Sequence, residues 1–138
     1  MTNTRQPLPR DGWFILLVDD DPTSLKIMER TLKDTYTVCT AASAEEAVDI
    51  LHARAPALVI LDMMMPDVSG IDVCEMMKTT ERLRGVHVIF LSSCDRPGDY
   101  GKGYDAGGLM YVAKPIRPAQ LLQIVQLYAS RIANKGIA

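Results

Sequence analysis

Three aspartates stand side by side at the end of the apolar run Ile15–Val18, where Asp19, Asp20 and Asp21 follow one another. Two carboxylates about 4 Å apart repel by roughly 4 kcal/mol at an effective dielectric near 20. Adjacent carboxylates of this kind become favourable around a hard divalent cation, which takes oxygen ligands. The triplet therefore raises the question of which positive charge holds it in place.

Three other polar residues also end apolar runs that have the length and composition of strands. Asp62 follows one such run, Ser92 follows the next, and Lys114 follows the last. In an open parallel sheet, ligands bind beyond the carboxyl ends of the strands. We therefore expect these residues to meet the aspartates at one edge of a sheet, although they are far apart in the sequence.

This set of residues favours phosphate chemistry on magnesium. Mg²⁺ is typically held by one or two carboxylates together with phosphate oxygens, which Asp20 and Asp62 can supply, with Asp19 holding a metal-bound water. Lys114 is a point charge suited to a phosphate, and Ser92 can donate a hydrogen bond to a phosphoryl oxygen. Asp62 is then a candidate nucleophile, because carboxylates form aspartyl phosphates. Taken one at a time, such aspartates are also typical helix caps.

The hydrophobic pattern alternates short strands with amphipathic helices. We predict strands β1 to β5 and helices α1 to α5 in strict alternation, which indicates a parallel sheet with helices on both faces. The predicted elements are β1 Trp13–Val18, α1 Pro22–Lys33, β2 Thr37–Ala41, α2 from a capping box at Ser43 to Ala53, β3 Leu58–Leu61, α3 Ile71–Thr79, β4 Val86–Leu91, α4 Gly98–Ala106, β5 Met110–Ala113 and α5 Pro118–Arg131.

Composition narrows the classes of function. The 138 residues suit one domain, and the net charge of −2 without a basic run speaks against direct binding of nucleic acid. No apolar run approaches the roughly 20 residues that span a bilayer, so no membrane contact is expected. Three cysteines without metal-ligand spacing, and an N-terminus without a signal peptide, predict unpaired thiols in a reducing cytoplasm.

Five short motifs, in this order, resemble those of response-regulator receiver domains of two-component signalling, the CheY-like superfamily. The resemblance extends from about Phe14 to Arg131. The motifs are VDDD, VILDMMMPDVSG, VIFLSS, the step Ala106-Gly107 and YVAKP. It implies a single-domain, doubly wound (βα)5 flavodoxin-like α/β fold with strand order 2-1-3-4-5. Its expected boundaries are a flexible arm over 1–12, the receiver domain over 13–131 and a tail over 132–138.

The resemblance also implies a role for each matching residue. Asp62 would accept a phosphoryl group from a phosphohistidine on a sensor histidine kinase or a histidine phosphotransfer protein. Asp19 and Asp20 would form the Mg²⁺ pocket with Asp62, and the backbone carbonyl of Met64 would be a further ligand. Ser92 and Lys114 would contact the phosphoryl group.

The resemblance further implies how the domain would change conformation on phosphorylation and how long the phosphoryl group would stay on Asp62. Tyr111 would follow Ser92 as the switch aromatic, and Lys114–Pro115 would be a cis peptide bond. The domain would signal by binding a downstream protein target, or a second copy of itself, through the α4-β5-α5 face. Two interior glycines weaken helix α4 of this face. Met64 and Cys94 would flank the water that removes the phosphoryl group, and neither is a good hydrogen-bonding partner, which predicts slow autodephosphorylation.

Two other interpretations are open. The spacing Asp19, Asp21, Thr23 also resembles haloacid-dehalogenase-type phosphatases, with Asp19 as nucleophile. That family needs a further acidic motif after its lysine, whereas Ile116–Ala138 contains neither Asp nor Glu. A degenerate receiver that acts only as an interaction module is the third possibility, against which the acidic pair, Asp62 and Lys114 argue.

Overall fold

The computed structural model describes residues 14–65, 68–92 and 110–137. Predicted features that lie outside these ranges are Trp13, Cys94, the step Ala106-Gly107, helix α4 and the N-terminal arm. The described elements are β1 Ile15–Val18, α1 Pro22–Leu32, β2 Val38–Ala41, α2 Ala44–Ala53, β3 Leu58–Asp62, α3 Gly70–Thr79, a 3₁₀ turn at Glu81–Leu83, β4 His87–Ser92, β5 Met110–Ala113 and α5 Pro118–Ile137.

The five strands form one parallel sheet in the order β2-β1-β3-β4-β5, which confirms the predicted doubly wound topology. Hydrophobic side chains fill both faces. One core layer packs α2 and α3 against the sheet, and the other packs α1 and α5 against the opposite face. Because strands such as Ile15–Val18 are buried on both faces, they are apolar throughout rather than alternating.

The local signals at the helix ends act as the sequence predicts. Asp21 caps α1, its side chain accepting from the backbone N–H of Thr23. At α2, the Ser43 hydroxyl accepts from the N–H of Glu46, while the Glu46 carboxylate accepts from the N–H of Ala42. These reciprocal bonds satisfy donors that the first turn of a helix leaves without partners.

The prediction that α5 ends at Arg131 is wrong, because the helix continues to Ile137. The predicted end lies at the end of the apolar stripe of this helix, which consists of Leu121, Val125, Tyr128 and Ile132, but the end of such a stripe does not stop a helix. Neither Pro nor Gly occurs after Pro118 until Gly136, and these two residues are the strongest terminators of a helix. Residues 132–137, predicted as tail, are therefore helical.

A long-range contact joins the end of α2 to the turn after α3. The guanidinium of Arg82 donates to the carbonyl oxygens of Leu51 and His52, at 2.6 and 2.7 Å. The last carbonyls of a helix have no partner within the helix, so this arginine supplies the missing donors from another element. Among the described residues, no helix combines the length and apolar character of a transmembrane span.

Candidate functional site

The register of the sheet brings the polar strand ends together. Asp62 pairs with Leu91 of β4, and Ser92 pairs with Ala113 of β5. Because all strands are parallel, the residues that end them share one edge of the sheet. The residues that meet there are Asp19, Asp20, Asp62, Ser92 and Lys114.

The ammonium of Lys114 lies between two buried carboxylates. Its Nζ is 3.0 Å from Oδ2 of Asp19 and 3.3 Å from Oδ2 of Asp62. The side chains of the two aspartates are 0% and 4% exposed, whereas that of the lysine is 18% exposed. Interactions between charges are screened little at such depth, so this one cation neutralises a large part of the negative charge in the cluster.

Burial raises the pKa of Asp62 to about 6, and the neighbouring Asp19 carboxylate adds to the increase. The backbone N–H of Met64, which donates to Asp62 Oδ1 at 3.0 Å, and the charge of Lys114 oppose it. Near pH 7 the carboxylate is therefore mostly ionised, although the protein environment resists the charge. An ionised carboxylate is the form that a nucleophile requires.

The pKa of Lys114 is raised by its two partners. Burial alone is the largest single influence and would lower the pKa, but the hydrogen bonds and charges of Asp19 and Asp62 together outweigh it. The lysine is consequently a permanent cation at the site. A cation held 3.3 Å from Asp62 is positioned to stabilise negative charge on a group bound to that carboxylate.

The carboxylates form a cluster with the chemistry of a metal site. Asp19, Asp20 and Asp62 each offer an oxygen, and these atoms lie within 4.8 Å of one another. Asp19 is fully buried, and its Oδ2 forms an ion pair with the Lys114 ammonium at 3.0 Å but accepts no hydrogen bond from the described residues. The same ammonium also serves Asp62, so a cation coordinated from the exposed side, where Asp20 lies, would add to the compensation of the buried charge. The donor set fits Mg²⁺, which prefers oxygen ligands and retains several waters.

Asp21 stands apart from this cluster. Its carboxylate accepts from the backbone N–H of Thr23 at 3.1 Å and from the hydroxyl of Ser24 at 3.0 Å. The Ser24 hydroxyl is the main reason that the pKa of Asp21 is lowered. The backbone N–H of Asp21 in turn donates to Asp19 Oδ1 at 2.9 Å, so the residue that caps α1 also orients Asp19. The third aspartate of the triplet thus serves the helix.

The predicted hydroxyl and aromatic lie on β4 and β5, the two strands that follow β3 and its Asp62 in the order of the sheet. Ser92 is buried, with 1% of its surface exposed, at the last position of β4. Tyr111 of β5 is half-buried and stacks on Phe90, with the ring centroids 5.4 Å apart. The Lys114–Pro115 peptide bond is cis, as predicted.

Gly70 is a site residue to which the sequence analysis assigns no role, although it is the last residue of the motif VILDMMMPDVSG. It is the first residue of α3 and is fully packed against β3. A Cβ there would overlap the backbone carbonyl of Asp62 and lie 3.1 Å from the side chain of Leu61. Only glycine allows this approach. A glycine eight residues after a strand-end aspartate is the signal that could have identified it.

The family model described as "Response regulator receiver domain" matches residues 15–126. Among curated relatives, the response regulator Rre1 of Synechocystis sp. is 36% identical over 119 residues, which are 85% of this chain and 52% of that protein. The DNA-binding response regulator MtrA of Mycolicibacterium smegmatis is 30% identical over 113 residues, which are 81% of this chain and 48% of that protein.

Solved structures of receiver domains are also similar to this chain. The BeF3-activated receiver domain of DrrB, a Thermotoga maritima protein, superposes with a TM-score of 0.78 at 34% identity, covering 86% of this chain and 97% of that one. A CheY-like receiver domain protein from Methanospirillum hungatei gives a TM-score of 0.80 at 25% identity, covering 88% of this chain and 96% of that one.

The chain spans about half or less of the length of the curated relatives described here. The chain spans 52% of the first relative and 28% of a probable cyclic di-GMP phosphodiesterase of Vibrio cholerae, which is 32% identical to it. The family model, the curated relatives and the sheet topology all agree on one family. The chain belongs to the response regulator receiver domains.

Proposed function

We propose that this domain accepts a phosphoryl group on Asp62, in a reaction that depends on Mg²⁺, from a phosphohistidine of a histidine kinase or a histidine phosphotransfer protein. The observation that carries the proposal is the position of Lys114, with its ammonium 3.0 Å from Asp19 and 3.3 Å from Asp62. This places a fixed positive charge beside Asp62, a buried carboxylate whose pKa is raised to about 6.

The chemistry is a displacement at phosphorus. A carboxylate oxygen of Asp62 forms a bond to phosphorus, the phosphorus–nitrogen bond of the phosphohistidine breaks, and the imidazole leaves with its electron pair. Asp62 needs no general base, because most of it is ionised near pH 7. Lys114 stabilises the charge on the phosphoryl oxygens, and the Ser92 hydroxyl is proposed to donate to one of them.

Asp19, Asp20 and Asp62, with the backbone carbonyl of Met64, would hold the metal. When bound, Mg²⁺ would supply positive charge for the phosphoryl oxygens. Asp19 would contribute a buried carboxylate, which also forms an ion pair with Lys114, and Asp20 would be the exposed ligand. The protein itself contributes the fixed position of these groups, since Asp19 is oriented by the residue that caps α1 and Asp62 by the N–H of Met64.

The phosphatase alternative receives less support from the contacts. It requires Asp19 as nucleophile and Asp21 as general acid. The carboxylate of Asp21 is instead occupied by two hydrogen bonds at the start of α1, and its pKa is lowered, which is unsuited to an acid catalyst. A dedicated enzymatic activity on a separate substrate is therefore not part of the proposal.

The proposed output is protein binding or homodimerisation through the α4-β5-α5 face. Strand β5 is at the edge of the sheet, and Leu127 of α5 is 48% exposed. Tyr111 and Ser92 are proposed to couple the phosphoryl group to this face, since Ser92 lies opposite Ala113 of β5. A cytoplasmic location remains part of this proposal on the basis of the sequence.

The test is to treat the protein with acetyl phosphate and MgCl2 and to locate the acyl phosphate by mass spectrometry after borohydride reduction. We expect one phosphoryl group, on Asp62, and none when EDTA replaces MgCl2. Asp62→Asn should abolish labelling, whereas the matched variant Asp49→Asn, which changes an exposed carboxylate on α2, should label normally. A phosphoryl group on Asp19 would contradict the proposal and favour the phosphatase interpretation.

A further inference from the structure

Three consecutive methionines follow the phosphoacceptor position, and only the middle one is accessible. Met63 and Met65 are 1% and 9% exposed and belong to the core layer under α2 and α3. Met64 is 59% exposed. The remaining methionines within the described residues are buried or half-buried; these are Met28, Met76, Met77 and Met110.

The backbone explains why the Met64 side chain faces solvent. The N–H of Met63 donates to Leu91 at 2.9 Å, and its carbonyl accepts from Gly70 at 3.0 Å. These bonds fix the backbone at Met63, and the side chains of Met63 and Met65 anchor the chain in the core on either side of Met64. The residue between them is therefore held outward, and a large apolar side chain at this position satisfies no packing requirement of the fold.

The same backbone places Met64 against the reacting carboxylate. Its N–H donates to Asp62 Oδ1 at 3.0 Å, so its side chain starts beside that oxygen. A change in the polarity of this side chain would act on any water that approaches a phosphoryl group on Asp62. The thioether present is a weak hydrogen-bond acceptor.

We propose that Met64 is a site of reversible oxidation by hydroperoxides, and that its sulfoxide shortens the lifetime of phosphorylated Asp62. The inference rests on the proposed phosphorylation for its second half only. Hydrogen peroxide transfers one oxygen to the sulfur: an S–O bond forms, the O–O bond breaks and water leaves, so that the sulfur is oxidised by two electrons and the peroxide reduced. Methionine sulfoxide is polar and is reversed by methionine sulfoxide reductases.

The sulfoxide oxygen is a strong acceptor where the thioether is a weak one. It can accept a hydrogen bond from the water molecule that attacks phosphorus. In that attack the water oxygen forms a bond to phosphorus, the bond between phosphorus and the Asp62 oxygen breaks, and a proton of the water passes to solvent. One added hydrogen bond in the transition state is expected to accelerate loss of the phosphoryl group about fivefold, which corresponds to about 1 kcal/mol.

The test begins with graded hydrogen peroxide, followed by catalase and then dithiothreitol, which reverses disulfide and sulfenic forms of cysteine but not sulfoxide. Peptide mapping should find Met64 oxidised before any of the buried or half-buried methionines. Oxidation of Met63 or Met65 at the same peroxide concentration as Met64 would overturn the assignment of the site. This arm needs no phosphorylation, so it holds even if the proposed function fails.

The second arm measures phosphoryl loss by intact mass after the acetyl phosphate is removed. Each variant is compared with itself before and after peroxide. We expect the acceleration in the unmodified chain and in Met76→Leu, a half-buried methionine of α3, but not in Met64→Leu. Treatment with both methionine sulfoxide reductases should restore the slow rate, and Met64→Gln should lose its phosphoryl group faster than Met64→Leu without peroxide. An unchanged lifetime when Met64 is fully oxidised, or a response that persists in Met64→Leu, would overturn the proposal.

Discussion

Replacing Asp62 by asparagine should stabilise the metal-free protein at neutral pH. The carboxyl is buried, with 3% of its surface exposed, and its pKa is raised from 3.8 to about 6. A raised pKa means that the folded state binds the proton more tightly than the unfolded chain does. The free energy of unfolding must then decrease as pH rises from about 4 to about 6 and level off above that range.

The magnitude follows from the shift. Each pKa unit corresponds to about 1.4 kcal/mol, so the ionised carboxylate costs the folded protein about 3 kcal/mol above pH 6, given a pKa of about 6 against 3.8. Asparagine cannot ionise and keeps an oxygen that can accept from the N–H of Met64. We therefore expect Asp62→Asn to gain up to about 3 kcal/mol at pH 7.5 and little at pH 4.

Urea unfolding curves in EDTA at both pH values measure this difference. Asp49→Asn, at an exposed position of α2, is the control and should change stability by less than about 0.5 kcal/mol at either pH. Added MgCl2 should stabilise the wild-type chain more than Asp62→Asn, because a ligand that binds the folded state stabilises it by mass action. Equal stabilities of Asp62→Asn and wild type at pH 7.5, or a gain that is the same at pH 4, would refute the reasoning.

Three other substitutions test separate parts of the structure. Asp20→Asn should weaken Mg²⁺ binding in calorimetry by at least about tenfold with unchanged unfolding in EDTA, because Asp20 is exposed and offers one of the clustered oxygens. Arg82→Met keeps the aliphatic stem but loses both hydrogen bonds to the end of α2, and should cost about 1–3 kcal/mol in urea unfolding; no loss would show that water replaces the guanidinium. Gly70→Ala should slow phosphorylation of Asp62 and lower stability, since the added Cβ overlaps the Asp62 carbonyl; wild-type labelling rates would contradict this.

The fold was predictable because its signals are local. Short apolar runs that end in polar residues mark strands buried on both faces, and Asp21 and Ser43 mark the starts of helices with caps that the structure confirms. The alternation of strands and helices then leaves few topologies. The end of α5 is predicted too early because the apolar stripe of this helix stops before any residue that terminates a helix.

The candidate site was predictable as a set of residues but not as a geometry. Strand-end positions are enough to bring Asp62 and Lys114 to one edge of the sheet. Lys114 lies nearly equidistant from Asp19 and Asp62, at 3.0 and 3.3 Å, and these distances depend on packing across the four strands β1, β3, β4 and β5. The contact of Arg82 with the end of α2 joins residues 30 and 31 positions apart, and an arginine in a turn carries no local sign of such a partner.

The opening aspartates thus have two different explanations. Asp21 is held by the first turn of α1, whereas Asp19 and Asp20 remain in a cluster where three carboxylates face one ammonium within the described residues. Lys114 satisfies part of this charge, but burial, with a smaller contribution from the Asp19 carboxylate, still raises the pKa of Asp62 to about 6. A site that lowers stability in this way is retained for what binds there. The burial of ionised Asp62 destabilises the metal-free fold, and a divalent cation bound to this carboxylate would offset that cost, so metal binding and folding stability should be coupled through Asp62.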